Sequence, residues 1–203
     1  MSTVRRGREW LALALCTALL TGCSASFAQR SRGRELFRGH RYNMMAYGVA
    51  LDDYEAEGTP EGIATDRALD ADGWGAEFEA LGTGPSLIVG YQDRTFDERI
   101  HSEEVYVGLK LYLGEQRVCP YVTAVARWLP GLELEETLFG PALEADDNWG
   151  WGAGGGLVVQ ITDNLYLDGR VLYEATFDDY DLGVGEPLEL DGWIGLLGAG
   201  FSF

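Results

Sequence analysis

From residue 42 to the end of the chain, apolar and polar positions alternate, and turn-forming sequence interrupts the alternation about every ten residues. A period of two is the spacing of a strand with two unlike faces, because successive side chains point to opposite sides of a sheet. Eight such segments are predicted, over 42–52, 73–81, 86–93, 103–113, 118–129, 150–162, 165–176 and 192–203. One face reads Met45, Tyr47, Val49, Leu51 in the first segment, then Trp74, Ala76, Phe78, and Leu87, Val89, Tyr91. It continues in the same way to Leu197, Phe201 and Phe203, and no charge falls on it.

The opposite face carries Glu77, Glu79, Lys110, Arg127, Asp168, Arg170 and Glu174, set among Tyr106, Tyr112, Tyr121, Tyr166 and many glycines. A solvated strand face favours Thr, Lys and Glu, whereas glycines beside tyrosines with both signs of charge suit the inside of a narrow barrel. These seven charges are therefore expected to pair across a lumen. A soluble lipocalin-like barrel with its apolar face inward shares the period, and the composition of the polar face argues against it.

Connection lengths set the topology. Residues 82–85, 114–117 and 163–164 are tight turns, while 53–72, 94–102, 130–149 and 177–191 are long. In an antiparallel meander all the tight turns fall at one end and all the long loops at the other. An even strand count with that asymmetry predicts an all-β, eight-stranded antiparallel up-and-down transmembrane β-barrel. Trp74, Trp128, Trp149, Trp151 and Trp193 all fall near the long-loop end, as half of an aromatic belt would.

Residues 1–22 read as a signal peptide, with Arg5, Arg6 and Arg8 before an apolar run from Trp10 to Leu20. That run is shorter than the roughly 20 residues a spanning helix needs. Leu20-Thr21-Gly22-Cys23 resembles the lipobox of bacterial lipoproteins, which implies acylation of Cys23. Cleavage after Ala28 is the competing site, since Ser26-Phe27-Ala28 also has the small-x-small form. Residues 23–41 then form a basic tether, QRSRGRELFRGHR, suited to anionic headgroups, and residues 42–203 form the barrel.

The chain has a net charge of −18 over 203 residues, which excludes nucleic acid as a partner. The long loops and their margins hold twenty of the carboxylates, from Asp52 to Asp72, Glu133 to Asp147 and Asp178 to Asp191. Divalent cations are the partners that such loops accept. Asp70, Asp72, Gly73 and Glu79 match positions of a calcium loop, but Ala68 occupies its first position and no helices flank it, so that motif is rejected. No cofactor is expected. The only histidines are His40 and His101. His101-Ser102 beside Glu103 and Glu104 is the one candidate for nucleophilic chemistry, yet neighbours on a strand point apart.

The last eleven residues, WIGLLGAGFSF, with Phe201 and Phe203 in phase, resemble the C-terminal signature by which the barrel assembly machinery recognises outer-membrane proteins. PYVTAVARW before a long loop and GWGAGGGLVVQITDNLYLDGRVLYEATF after it are similar to the small eight-stranded OmpA-like/OmpX-like outer-membrane barrel family. The resemblance implies a Gram-negative outer-membrane location, with outer-membrane lipids and lipopolysaccharide as surroundings. A structural or surface-interaction role is expected over catalysis, with a lipid-A-modifying barrel hydrolase as the alternative. The sequence lacks the His-x-Ser spacing of the deacylase barrels.

Overall fold

The computed structural model describes residues 36, 37, 39–57, 67–82, 84–96, 100–134, 143–180 and 189–203. Eleven strands lie among them: β1 (Tyr42–Glu57), β2 (Arg67–Leu69), β3 (Ala71–Ala80), β4 (Ser86–Phe96), β5 (Ile100–Tyr112), β6 (Val118–Leu129), β7 (Leu132–Leu134), β8 (Leu143–Ala145), β9 (Asn148–Gln160), β10 (Leu165–Thr176) and β11 (Glu189–Ser202). The eight long strands pair in the order β4-β3-β1-β11-β10-β9-β6-β5, and β4 pairs with β5 to close the barrel. Every pairing in the ring is antiparallel. The seam between first and last strands runs from Asn43 opposite Ser202 to Glu57 opposite Glu189. This is a closed up-and-down barrel, the architecture predicted from the turn and loop lengths.

Several strands run further toward the long-loop end than the alternation suggested. β1 continues to Glu57, β4 to Phe96, and β11 begins at Glu189. Charges such as Asp53 and Asp93 look like strand ends when read along the chain. On an outward face beyond the apolar band they are simply solvated while the backbone ladder continues. β2, β7 and β8 are short additions in the loops, with β2 against β1, and β7 between β5 and β8.

Seven of the eight predicted strands keep their assigned faces. The first does not: Met45 and Tyr47 point into the lumen, and Tyr42 and Met44 point outward. Met44-Met45-Ala46-Tyr47 is apolar in both phases, so alternation alone could not choose between them. The Tyr47 hydroxyl chooses, because inside the barrel it finds hydrogen-bonding partners that the outward face lacks. A register irregularity between Val49 and Leu51 then shifts the phase along β1.

Lumen tyrosines and glycines come in cross-strand pairs. Tyr47 lies opposite Gly75, Tyr106 opposite Gly90, Tyr121 opposite Gly156 and Tyr166 opposite Gly200. In each pair the hydroxyl end of the phenol ring lies directly against the glycine. A Cβ on Gly90 would meet the Tyr106 ring at 2.2 Å, and one on Gly200 would meet Tyr166 at 2.2 Å. Glycine is thus required here for close approach, and each ring covers backbone that a small residue would leave bare.

The outer surface is apolar through its middle, with Leu87, Val89, Val107, Leu167 and Val171 all exposed. The short-turn end has an aromatic group that the sequence reading did not assign. Tyr42 stacks on Phe78 with centroids 5.5 Å apart and packs on Phe203 at 5.9 Å, and Phe203 lies 6.4 Å from Phe201.

Candidate functional site in the barrel lumen

Closing the sheet turns the polar faces of eight strands toward one axis, so charges far apart in sequence meet. All seven predicted charges are buried there. Glu77 is the hub of the half nearer the short turns. Its carboxylate takes Arg170 Nη1 at 2.6 Å and Lys110 Nζ at 2.9 Å, and it accepts the Tyr106 hydroxyl at 3.0 Å. Lys110 also lies 3.5 Å from Asp168 and 3.7 Å from Glu79, and Arg170 Nε donates to Asp168 at 3.3 Å. Tyr121 donates to Asp168 at 2.6 Å. Glu79 Oε2 accepts from Tyr112 and from Asn43 Nδ2, each at 2.9 Å.

A second group lies toward the long loops. Arg94 bridges Glu174 at 2.7 Å and Glu104 at 2.8 Å. Arg127 pairs with Glu104, its Nε donating at 2.9 Å, and lies 3.3 Å from Glu174. Tyr47 joins the two groups, with its hydroxyl 3.0 Å from that of Tyr106 and 3.3 Å from the Gln92 amide. Turned with its oxygen toward Arg94 Nε, at 2.7 Å, Gln92 also donates to Glu104 at 3.3 Å. Charges buried this deeply persist because each has opposite charge and hydrogen bonds around it.

Apolar residues close both ends of this column. At the long-loop end Phe96, Ile100, Leu129 and Leu190 are buried, and so is Tyr180, within the field of Arg127, Glu104 and Arg94. Burial pushes the Tyr180 phenol up to about 12, against the opposing pull of Arg127. At the short-turn end the chain before β1 enters the mouth. Phe37 is 0% exposed and packs edge-on against Tyr166 at 5.3 Å and Tyr112 at 5.7 Å. The Leu36 carbonyl accepts from Gln160 Nε2 at 2.7 Å, and the amides of Arg41 and Tyr42 both donate to the Phe203 carbonyl at 3.1 Å. Leu36 and Phe37 fall within the 23–41 segment that the sequence places ahead of the barrel. Leu36 and Phe37 belong to the barrel, because two apolar side chains between arginines gain more from covering Tyr112 and Tyr166 than from water.

Arg94, Glu104, Gln92, Asn43 and Tyr47 were absent from the expected network. The parity signal for two of them was present: Arg94 is in phase with Gly90, and Glu104 with Tyr106. Stopping the third segment at Asp93 hid the first. Asp191, counted among loop carboxylates, is buried in β11 and accepts the Tyr173 hydroxyl. Trp74, Trp128, Trp149 and Trp193 are exposed on the outward face at the long-loop end, while Trp151 is half-buried against Tyr173 at 5.8 Å. Phe201 and Phe203 face outward at the other end. His101 is half-exposed with Nδ1 3.0 Å from Thr95 Oγ1, whereas Ser102 is buried on the opposite face, so the two do not form a dyad. Cys23, Ala28, and the loop carboxylates Glu61, Asp66, Glu135, Glu136, Asp181 and Glu186 lie outside the described residues. Among the described residues no three His, Cys, Asp or Glu side chains gather as metal ligands.

No protein-family profile and no curated protein sequence matches this chain. Solved structures do match in fold. Neisserial surface protein A aligns with a TM-score of 0.60 at 13% identity, over 80% of this chain and 97% of that one. The N-terminal β-barrel domain of OprF from Pseudomonas aeruginosa aligns with a TM-score of 0.51 at 17% identity, over 81% of this chain and 98% of that one. The chain thus has the closed eight-stranded fold of small outer-membrane barrels.

Proposed function

We propose that this protein is a Gram-negative outer-membrane β-barrel with a structural or surface-interaction role, tethered through an acylated Cys23. One observation carries the reading: buried, paired charges line the lumen from Glu79 to Arg94, and Phe37 and Phe96 lie buried at its two ends. An eight-stranded barrel has room inside for little beyond its own side chains, so the surfaces left for macromolecular partners are the lipid-facing wall and the long loops. The exposed apolar band between the tryptophans and the Tyr42–Phe203 group supports a membrane position. Phe201 and Phe203, outward at the end of the seam strand, suit a signal read by the assembly machinery.

The test is fractionation of cells grown with a palmitate analogue, followed by gels run with and without boiling. The protein should enter the outer-membrane fraction, carry label that Cys23→Ala removes, and change mobility on boiling, because a closed barrel has no free edge for detergent to open. Recovery in the soluble fraction would overturn the location, and label surviving in Cys23→Ala would overturn the tether.

The acidic loops are proposed to meet lipopolysaccharide phosphates through divalent cations. Asp70, Asp72, Asp146, Asp147 and Asp178 are exposed at that end, and like charges there repel phosphate unless a cation lies between them. Millimolar magnesium should raise the thermal transition in detergent beyond matched monovalent salt, with the gain reversed by chelator. Equal transitions would leave the loops as a hydrated anionic surface only.

A further inference from the structure

We infer that the short-turn end of the lumen binds one small, hard monovalent cation of the sodium class on oxygens of Asn43, Glu79, Ser86 and Ser202. The first observation is a charge imbalance. Among the described residues, the buried groups around Lys110 are Glu77, Glu79 and Asp168 against Lys110 and Arg170, three negative charges against two positive. The other group, Arg94 and Arg127 with Glu104 and Glu174, is neutral. The surplus negative charge sits where exposure is 3% or less for every one of these five side chains, and an uncompensated charge in such a place is strongly disfavoured.

The second observation is independent of charge and points to the same end. Asn43 Oδ1, Glu79 Oε1, Ser86 Oγ and Ser202 Oγ are buried oxygens with no hydrogen-bond partner among the described residues. Three of them are neighbours by register, Asn43 on β1 lying opposite Glu79 on β3 and opposite Ser202 on β11, while Ser86 on β4 lies opposite Lys110, whose Nζ is 3.7 Å from Glu79. Asn43 and Glu79 already touch through Asn43 Nδ2 and Glu79 Oε2, which leaves the Asn43 oxygen and the second Glu79 oxygen unused. Phe37 covers this end, packed on the Tyr112 ring whose hydroxyl holds Glu79.

The chemistry selects the ligand. Water could fill the lone pairs but would leave the charge. A divalent ion would reverse its sign, and a monovalent ion brings it to zero. One carboxylate with an amide and two hydroxyl oxygens is a hard, weakly charged ligand set, unlike the His and Cys sets that hold transition metals. This cation is distinct from the divalent ions proposed for the loops, since it lies at the opposite end and responds to a different ion. The inference rests on the lumen geometry and stands apart from the role proposed above.

The test uses the full chain refolded in detergent in sodium chloride or in choline chloride at equal ionic strength. Refolding in each salt loads the site without relying on exchange past Phe37, and choline is too large to enter. The thermal transition should rise saturably with sodium, by about 5 °C at a hundredfold excess over the dissociation constant. Glu79→Gln should abolish that response while unfolding in choline at or above the parent's temperature, because it removes the surplus charge. Ser202→Ala keeps every charge and should need several-fold more sodium for half its response. Asp179→Asn, in the long-loop region, should respond like the parent. Coincident transitions of the parent in sodium and choline would overturn the proposal and leave the imbalance to a proton. A sodium response that survives in Glu79→Gln would overturn it as well.

Discussion

Arg170→Ala is expected to lower the unfolding free energy of the barrel in detergent by about 3–5 kcal/mol, the usual cost of leaving a buried partner uncompensated. Arg170 grips Glu77 with two nitrogens, at 2.6 and 3.2 Å, and also reaches Asp168 and the Tyr47 ring. Its removal takes one of two positive charges from a group that already has three negative ones, so the loss cannot be shared locally. Asp146→Ala, at an exposed position in the long-loop region, should change stability by no more than about 0.5 kcal/mol. Denaturant titration followed by tryptophan fluorescence compares the two. Equal effects would mean that the inward face is solvated. Arg170→Lys should fall between them, because it keeps the charge and loses the two-nitrogen contact.

Phe37→Ala should also cost about 3–5 kcal/mol, the range for truncating a fully buried aromatic. The ring is 0% exposed between Tyr112 and Tyr166, and its backbone neighbourhood is tied to Gln160 of β9 through Leu36 and to the seam through Arg41 and Tyr42. Truncation would leave a hole at the lumen mouth above Tyr112, whose hydroxyl supports Glu79. Arg41→Ala, at an exposed position that contributes only its backbone amide to the seam, serves as the control and should be near neutral. The same titration reads both variants. A change in Phe37→Ala of less than about 0.5 kcal/mol would mean that the segment before β1 does not hold the mouth closed.

Alternation and connection length were enough to obtain the strand number, the up-and-down order and the faces of seven strands, because these are properties of consecutive residues. A period of two sets which side chains share a face, and a two-residue turn such as Asp163-Asn164 forces its strands antiparallel. The charges of the lumen were legible for the same reason: Glu77, Lys110 and Arg170 interrupt an otherwise uncharged alternation in a consistent phase. What the sequence left open lies where that signal is degenerate or absent. Met44-Met45-Ala46-Tyr47 satisfies either phase, and only the hydroxyl partners across the barrel choose one.

Pairing across the lumen was beyond any local reading. Arg94 meets Glu174 from 80 residues away and Arg170 meets Glu77 from 93. Which carboxylate each cation finds depends on strand tilt and the stagger between strands, and neither is written in the spacing of residues along one strand. Phe37 follows the same rule. In the sequence it is one apolar residue in a basic stretch. It becomes core only after eight strands have closed and left an aromatic-lined mouth that a phenyl ring can fill, because burial is decided by the surface a residue meets, and that surface exists only in the folded barrel.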